Sequence, residues 1–257
     1  MRRVALIPAR LGATRFPRKL LAELGGKTVI RRTYEAVRGT GLFTSVQVVT
    51  DSPEIAREIA EAGGQAVMSQ RSHESGTDRI AEVAEAVDAD LFVNVQGDEP
   101  FTRSGPLERL LALFDGPGGE RVQVASLMQA LGDPALVRDP NYVKVAVDLS
   151  GNALFFSRSP IPFLRDRSVH PTFWEHIGVY AFRREALLAF TRLTPGPLER
   201  AEKVECLRFL EHGIGIRMAS TEYMGVEIDT PEDLVRAERL LAEGKAGPQA
   251  VAQERQS

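Results

Sequence analysis

Apolar positions fall in two different periods along this chain. Val4–Ile7 is a short continuous apolar run, the mark of a strand buried on both faces. Pro8 is expected to stop that strand, because proline brings no N–H to a ladder. Lys27–Arg38 follows with Val29, Ile30, Tyr34 and Val37 at helical spacing. Ser45–Thr50 reads as a second strand. Ser52 and Pro53 then suit the cap and first position of a helix whose buried stripe is Ile55, Ala56, Ile59 and Ala60. Gly63-Gly64 ends it, and Gln65–Met68 is a short third strand. Ile80, Val83, Ala84 and Val87 mark another helix, Leu91–Val95 a fourth strand, and Leu107, Leu110, Leu111 and Phe114 a further helix before a strand at Val122–Leu127. Strand and helix in alternation predict a parallel sheet with helices on both faces.

The rhythm changes after Gly132. Tyr142–Val147 and Ala153–Ser157 read as a hairpin around Asp148-Leu149-Ser150-Gly151. His176–Phe182 is a strand, with helices expected near 184–190 and 198–212 and a strand at Ile214–Ala219. After the apolar Val226–Ile228, Thr230 and Asp233 form a capping box with Pro231 between them. Leu234, Ala237, Leu240 and Leu241 carry the last helix. Residues 243–257 are polar and aperiodic, which predicts a disordered tail. Neither an internal repeat nor a separating linker is visible. The expected organisation is therefore one α/β domain over 1–242, a mostly parallel mixed sheet flanked by helices, with a β-rich insertion at about 133–183.

Composition narrows the function more than the fold. The 257 residues are 43% apolar and 26% charged, with a net charge of −3. That balance argues against broad binding to nucleic acid or to an anionic membrane surface. A lone cysteine, Cys206, excludes an internal disulfide and a multi-cysteine zinc site. With no apolar run near 18 residues, and a strand at the very start, the expectation is a soluble cytoplasmic protein.

Against this mildly acidic background, Arg10, Arg15, Arg18 and Lys19 sit on one loop with Gly12, and no acidic residue precedes Glu23. Such a loop after a first strand suits phosphate, because open α/β sheets bind ligands at strand ends and Arg and Lys give charge-assisted hydrogen bonds. A solvated basic loop is the alternative. Asp98, just past the fourth strand, and Asp229, beside a cap that Thr230 already supplies, could each hold a divalent cation or simply sit in a turn. Oxygen ligands of this kind, with phosphates, favour Mg²⁺. Gly25-Gly26-Lys27-Thr28 ends like an ATPase phosphate loop, but Leu21 stands where its first glycine is needed. The four histidines show no metalloprotease spacing; His73, in a polar loop, reads as solvated and His176 as structural.

Eight stretches occur in an order that resembles one family. They are the opening twenty residues, SGTDR at Ser75–Arg79, VNVQGDEP at Val93–Pro100, VKVAVD at Val143–Asp148, FSRSPIP at Phe156–Pro162, HIGVYAF at His176–Phe182, PLERAEKVECLR at Pro197–Arg208 and DTPED at Asp229–Asp233. Together they resemble the 3-deoxy-manno-octulosonate cytidylyltransferases over about residues 3–242. The resemblance implies a Rossmann-like nucleotidyltransferase fold and transfer of CMP from CTP to a 2-keto-3-deoxy sugar acid, in the service of lipopolysaccharide-type glycans. It implies catalytic roles for Arg10 and Lys19 on the phosphates, and for Asp98 and Asp229 on Mg²⁺. It places Ala9, Leu11, Gly12, Arg15, Ser75, Gly76, Arg79, Gln96 and Gly97 around the nucleotide, and Arg158, His176, Tyr180, Glu205 and Cys206 around the sugar acid. It also implies a homodimer formed through the inserted strands.

Three departures bear on those expectations. Ala13 stands where the family usually has serine. Arg18 replaces glycine in Pro17-Arg18-Lys19. Cys206 replaces glutamine in Glu205-Cys206-Leu207-Arg208, and a thiol cannot reproduce an amide's paired donor and acceptor. A modified octulosonate or a nonulosonic acid therefore stays open as the acceptor. So does a packing role for Cys206, and so does a non-catalytic nucleotide-sensing module on the same fold.

Overall fold

The computed structural model describes residues 1–12, 15–73, 75–222 and 226–243. Its contacts divide the chain into two compact units, 1–107 with 223–257, and 108–222.

The first unit is the parallel sheet that the strand–helix alternation predicts. Strands β1 (Arg3–Ala9), β4 (Ser45–Thr50), β5 (Gln65–Met68) and β6 (Leu91–Asn94) lie in the order β6-β1-β4-β5, all parallel. Val4–Ile7 and Leu91–Val93 have no exposed surface, as expected of strands covered on both faces. Pro8 does not stop β1, contrary to expectation. Pairing with β6 has already ended at Leu6–Asn94, so the missing N–H breaks no bond there, and β1 continues beside β4 to Ala9. Gly25-Gly26 is the turn of a small hairpin, β2 (Glu23–Leu24) with β3 (Lys27–Thr28). Both glycines have positive φ, 55° and 78°, which explains a doublet that only looked like a phosphate loop.

Thr28 caps α1 (Val29–Gly39) through the Arg31 N–H, and Ser52 caps α2 (Pro53–Glu61) through the Ile55 N–H. Ser75 does the same for α3 (Gly76–Ala84). Helix α4 (Ser104–Asp115) then leads out of this unit.

The second unit is mainly antiparallel. It contains β7 (Val124–Leu131), the short α5 (Pro134–Arg138), β8 (Lys144–Val147), β9 (Ala153–Ser157) and the long β10 (Phe173–Arg183). These are followed by α6 (Arg184–Phe190), α7 (Pro197–Glu202), α8 (Leu207–Glu211) and β11 (Ile216–Ser220). β10 pairs with β7 and β8, β8 with β9, and only β11 runs parallel to its neighbour β7. The β8–β9 hairpin turns at Gly151 (φ 81°), as its sequence suggests. The single helix expected at 198–212 is two. Lys203 adopts φ 53° and closes α7, an αL conformation that ends a helix.

The chain then returns to the first unit with α9 (Pro231–Ala242), capped by the reciprocal Thr230–Asp233 box. Val226–Ile228 is an extended strap, not a strand, whose Ile228 N–H donates to the Asp98 carbonyl at 3.0 Å. The tail expected from 243 onward falls, from 244, outside the described residues.

The box both starts α9 and aims Asp229. Thr230→Ala is expected to destabilise the first unit by about 1 kcal/mol. Hydrogen exchange should speed up in α9 and leave β7 and β10 unchanged; equal protection of α9 in the variant and the wild type would contradict this.

Candidate active site

The carboxyl ends of β1 and β6 open into a cleft of about 330 Å³ in the first unit. Its floor needs Gly97. A Cβ there would come to 3.0 Å from the Pro8 carbonyl and 3.2–3.3 Å from Ile30 and Leu20, so any side chain would have to push these neighbours aside. Of the residues expected around the nucleotide, Ala9, Gly12, Arg15, Ser75, Gly76, Arg79, Gln96 and Gly97 all line this cleft, as do Arg10, Lys19, Asp98 and Asp229. Leu11 instead lines an adjoining groove with Asp51 and Glu54.

Charge converges at one end. Lys19 Nζ donates to Asp98 Oδ2 at 2.5 Å and to Asp229 Oδ1 at 2.7 Å, and Arg15 pairs with Asp229 Oδ2 at 2.5 Å. Lys19 and Asp98 are largely buried, with side chains 15% and 14% exposed. Burial pulls the Lys19 ammonium pKa down, but Asp98 and Asp229 outweigh it and the net shift is upward, so Lys19 stays charged. Asp229 is free for this duty because Asp233, not Asp229, accepts from the Thr230 N–H and completes the box.

Arg18 enters the short turn Lys19–Leu21 with φ 61°. Glycine reaches that conformation at no cost, which accounts for glycine at this place in the family pattern. Here the side chain is held by an ion pair to Glu54. Arg79 is 4% exposed and fixed between Ser69 Oγ (2.6 Å) and Asp51 (2.8 Å). Ser75 Oγ is occupied by its cap on the Asp78 N–H, so its contribution to the cleft is the adjoining backbone at Gly76.

Two residues at this site escaped the sequence reading. His73 is not solvated: its side chain is 8% exposed, its Nε2 lies 2.5 Å from Glu82, and it lines the cleft. Glu82, one turn along the face of α3 that holds Arg79, supplies the partner that a loop position alone does not reveal. The second is Glu227. One carboxylate oxygen from each of Asp98, Glu227 and Asp229 lies within 4.8 Å of the others. The residue is exposed as a whole, while its carboxyl end crowds the two aspartates. Desolvation of that end, then the charges of Asp98 and Asp229, push it well above the ordinary carboxylate range, against the pull of Lys19 and Arg15. The alternation Val226-Glu227-Ile228-Asp229 carried the signal, since an extended segment puts 227 and 229 on one side. Three hard oxygen donors so spaced suit a divalent ion with little movement, and an ammonium already sits between two of them.

The residues expected around the sugar acid lie in the second unit. Arg158 spends its guanidinium on carbonyls: Nε on Glu202 (2.7 Å), one terminal nitrogen on Pro140 (2.8 Å) and the other on Lys203 (3.3 Å). His176 stands in a row of rings, 4.8 Å from Phe156 and 5.4 Å from Tyr180, with Ser126 Oγ 3.1 Å from its Nε2. Tyr180 is 6% and Cys206 1% exposed, and the two are hydrogen-bonded. Burial raises both, so phenol and thiol stay neutral. The thiol therefore packs against Tyr180 inside this unit. Glu205 is half-buried beside it.

The family model described as cytidylyltransferase matches residues 4–220, and the chain belongs to that family. Within it, the chain falls among the 3-deoxy-manno-octulosonate cytidylyltransferases. It is 52% identical to the enzyme of that name from Flavobacterium johnsoniae over 94% of this chain and 99% of the relative. It is also 52% identical to that from Christiangramia forsetii, over 93% and 96%. The solved structure of a CMP:2-keto-3-deoxy-manno-octonic acid synthetase complexed with CTP superposes with a TM-score of 0.89 at 38% identity, covering 95% of this chain and all of that one. A 4-diphosphocytidyl-2C-methyl-D-erythritol synthase from Anaerococcus prevotii, 16% identical with a TM-score of 0.64, shares the fold.

Burial pushes His176 down to about 3. Between that pH and the ordinary imidazole value near 6.5, the unfolded chain binds a proton that the folded chain refuses. This residue's contribution to stability is therefore complete above about pH 6.5 and falls as pH drops, by at most about 1.4 kcal/mol per unit. Urea midpoints of the wild type and His176→Phe at pH 7.5 and 5.5 check this. The variant is expected to lose less on acidification; equal losses would contradict it.

Proposed function

We propose that the chain transfers CMP from CTP to 3-deoxy-D-manno-octulosonate, giving CMP-Kdo and pyrophosphate and so activating the sugar for lipopolysaccharide-type glycan synthesis. The observation that carries this is the 52% identity to named octulosonate cytidylyltransferases across nearly the whole chain, with the expected phosphate-side residues in one cleft. In this reading the cleft holds the triphosphate against Arg10, Arg15 and Lys19. The 2-hydroxyl of the sugar acid forms a new bond to the α-phosphorus. The bond from that phosphorus to the bridging oxygen of the β-phosphate breaks. Pyrophosphate departs with the electron pair, and the hydroxyl proton is released. Lys19 and Arg15 offset the negative charge that builds during transfer, and a fixed charge in a partly dry cleft acts without reorganising.

Asp98 and Asp229 would hold Mg²⁺, with Glu227 beside them. Bound there, the ion would neutralise phosphate charge and polarise the α-phosphoryl oxygens. The proposal includes a homodimer in the cytoplasm. Leu154 (62% exposed) and Phe163 (85%) offer apolar surface in the second unit for another copy, and no helix among the described residues is long and apolar enough to cross a membrane.

A different acceptor acid would follow if Cys206 touched the sugar where the family has glutamine. Its burial against Tyr180 favours the unmodified octulosonate.

The test is pyrophosphate release from CTP with a panel of keto-sugar acids, with Mg²⁺ or with EDTA. Release with Kdo and Mg²⁺ alone is expected. Release only with another acid would reassign the substrate, and none with any acid would leave a nucleotide-sensing module. Asp98→Ala should lower kcat/KM by ~10²–10³ at saturating Mg²⁺.

A further inference from the structure

The charged end of the cleft is already full. Lys19 Nζ fills the gap between Asp98 and Asp229, and Arg15 takes the second oxygen of Asp229. Glu227 adds a third carboxylate within 4.8 Å, and neither of the two Lys19 hydrogen bonds goes to it. A divalent ion among these carboxylates would stand at contact distance from the Lys19 ammonium, and the two positive charges repel. Lys19 therefore opposes the ion at the very cluster that suits it. A lysine head on a flexible four-carbon stem can leave, and phosphate oxygens are strong competing acceptors for it. Arg15, 60% exposed, has still fewer constraints.

We propose that this end of the cleft works by cation exchange. Without nucleotide, Lys19 fills the pocket of Asp98, Glu227 and Asp229. An arriving triphosphate draws Lys19 and Arg15 onto its own oxygens and opens the three carboxylates to a divalent ion. The exchange rests on the CTP reading above and deepens it. It makes the two ligands reciprocal: nucleotide raises affinity for the metal, and the metal raises affinity for the nucleotide by the same factor. Glu227 has a place in this scheme that a two-aspartate site does not give it. Its alternation with buried Val226 and Ile228 turns it to the side of Asp229, and the Ile228 N–H bond to the Asp98 carbonyl fixes that segment against the turn.

The test needs no nucleotide. Mn²⁺ replaces Mg²⁺, and unbound Mn²⁺ is counted by electron paramagnetic resonance with the full-length protein. Wild type is expected to bind weakly. Lys19→Gln should bind at least about tenfold more tightly, because it removes a competing charge at contact distance. Lys19→Arg, which keeps the charge, should stay weak. Arg15→Gln, at an exposed position that puts folding at little risk, should gain roughly threefold by the same argument. Adding Glu227→Gln to Lys19→Gln should remove most of the gain. Binding by Lys19→Gln and Arg15→Gln no tighter than wild type, in proteins whose melting shows them folded, would overturn the exchange. A gain indifferent to Glu227→Gln would overturn the part given to Glu227. CTP turnover by wild type separates the two readings. Turnover without any gain in Lys19→Gln would leave the enzyme standing and remove the exchange, whereas a gain in a chain that turns over no CTP would do the reverse.

Discussion

The charged end of the first unit's cleft depends on one contact, the ammonium of Lys19 between two aspartates that lie 79 and 210 positions away in sequence. Two carboxylates that close would repel each other, and burying either without a partner would be costly. Lys19 removes both costs, and the surrounding backbone is shaped to let it. Gly97 gives up its side chain so that the Asp98 turn can sit on Pro8. Thr230 and Asp233 cap α9 between them, which leaves the Asp229 carboxylate to Lys19. Arg18 accepts a left-handed backbone to turn the chain into Lys19, and pairs with Glu54 to hold that turn.

The same contact shows why much of the site could be read from sequence. Arg10, Arg15, Lys19 and Asp98 follow strand ends and Asp229 sits just before a helix cap, and a parallel sheet brings its strand ends to one edge. Local signals also placed the caps at Ser52 and Thr230, but not the one at Ser75. What could not be read depended on partners remote in sequence. Pro8 ends no strand because β6 ends first, a fact of register. Gly25-Gly26 is a hairpin turn because two very short strands flank it. His73 is buried because α3 brings Glu82 to it. The break at Lys203 lies in an otherwise helical pattern, and only φ 53° at that residue reveals it. Glu227 was legible in principle from its alternation with Asp229, but nothing local ties it to Asp98.

The second unit handles polar groups in the opposite way. There three buried titratable groups are kept neutral. His176 is depressed, Tyr180 and Cys206 are raised, and a row of aromatic rings runs from Phe156 through His176, Tyr180 and Phe182 to Phe209. Charge buried in this unit is held by several hydrogen bonds, as in the bidentate Arg208–Glu199 pair over Phe190 and in Lys144 on the Asp139 and Tyr142 carbonyls. A thiol at 206 fits such surroundings better than an amide, whose several hydrogen-bonding atoms would all need partners.

The first unit is built from two separated pieces of chain, 1–107 and 223–257. On a ribosome those pieces emerge on the order of ten seconds apart. Through that interval Lys19 has Asp98 for company but not Asp229. The carboxylate that completes the pocket is thus made only after the whole of the second unit. A ribosome that stops anywhere within the second unit releases the β6-β1-β4-β5 sheet without it, so competence waits on passage through that unit.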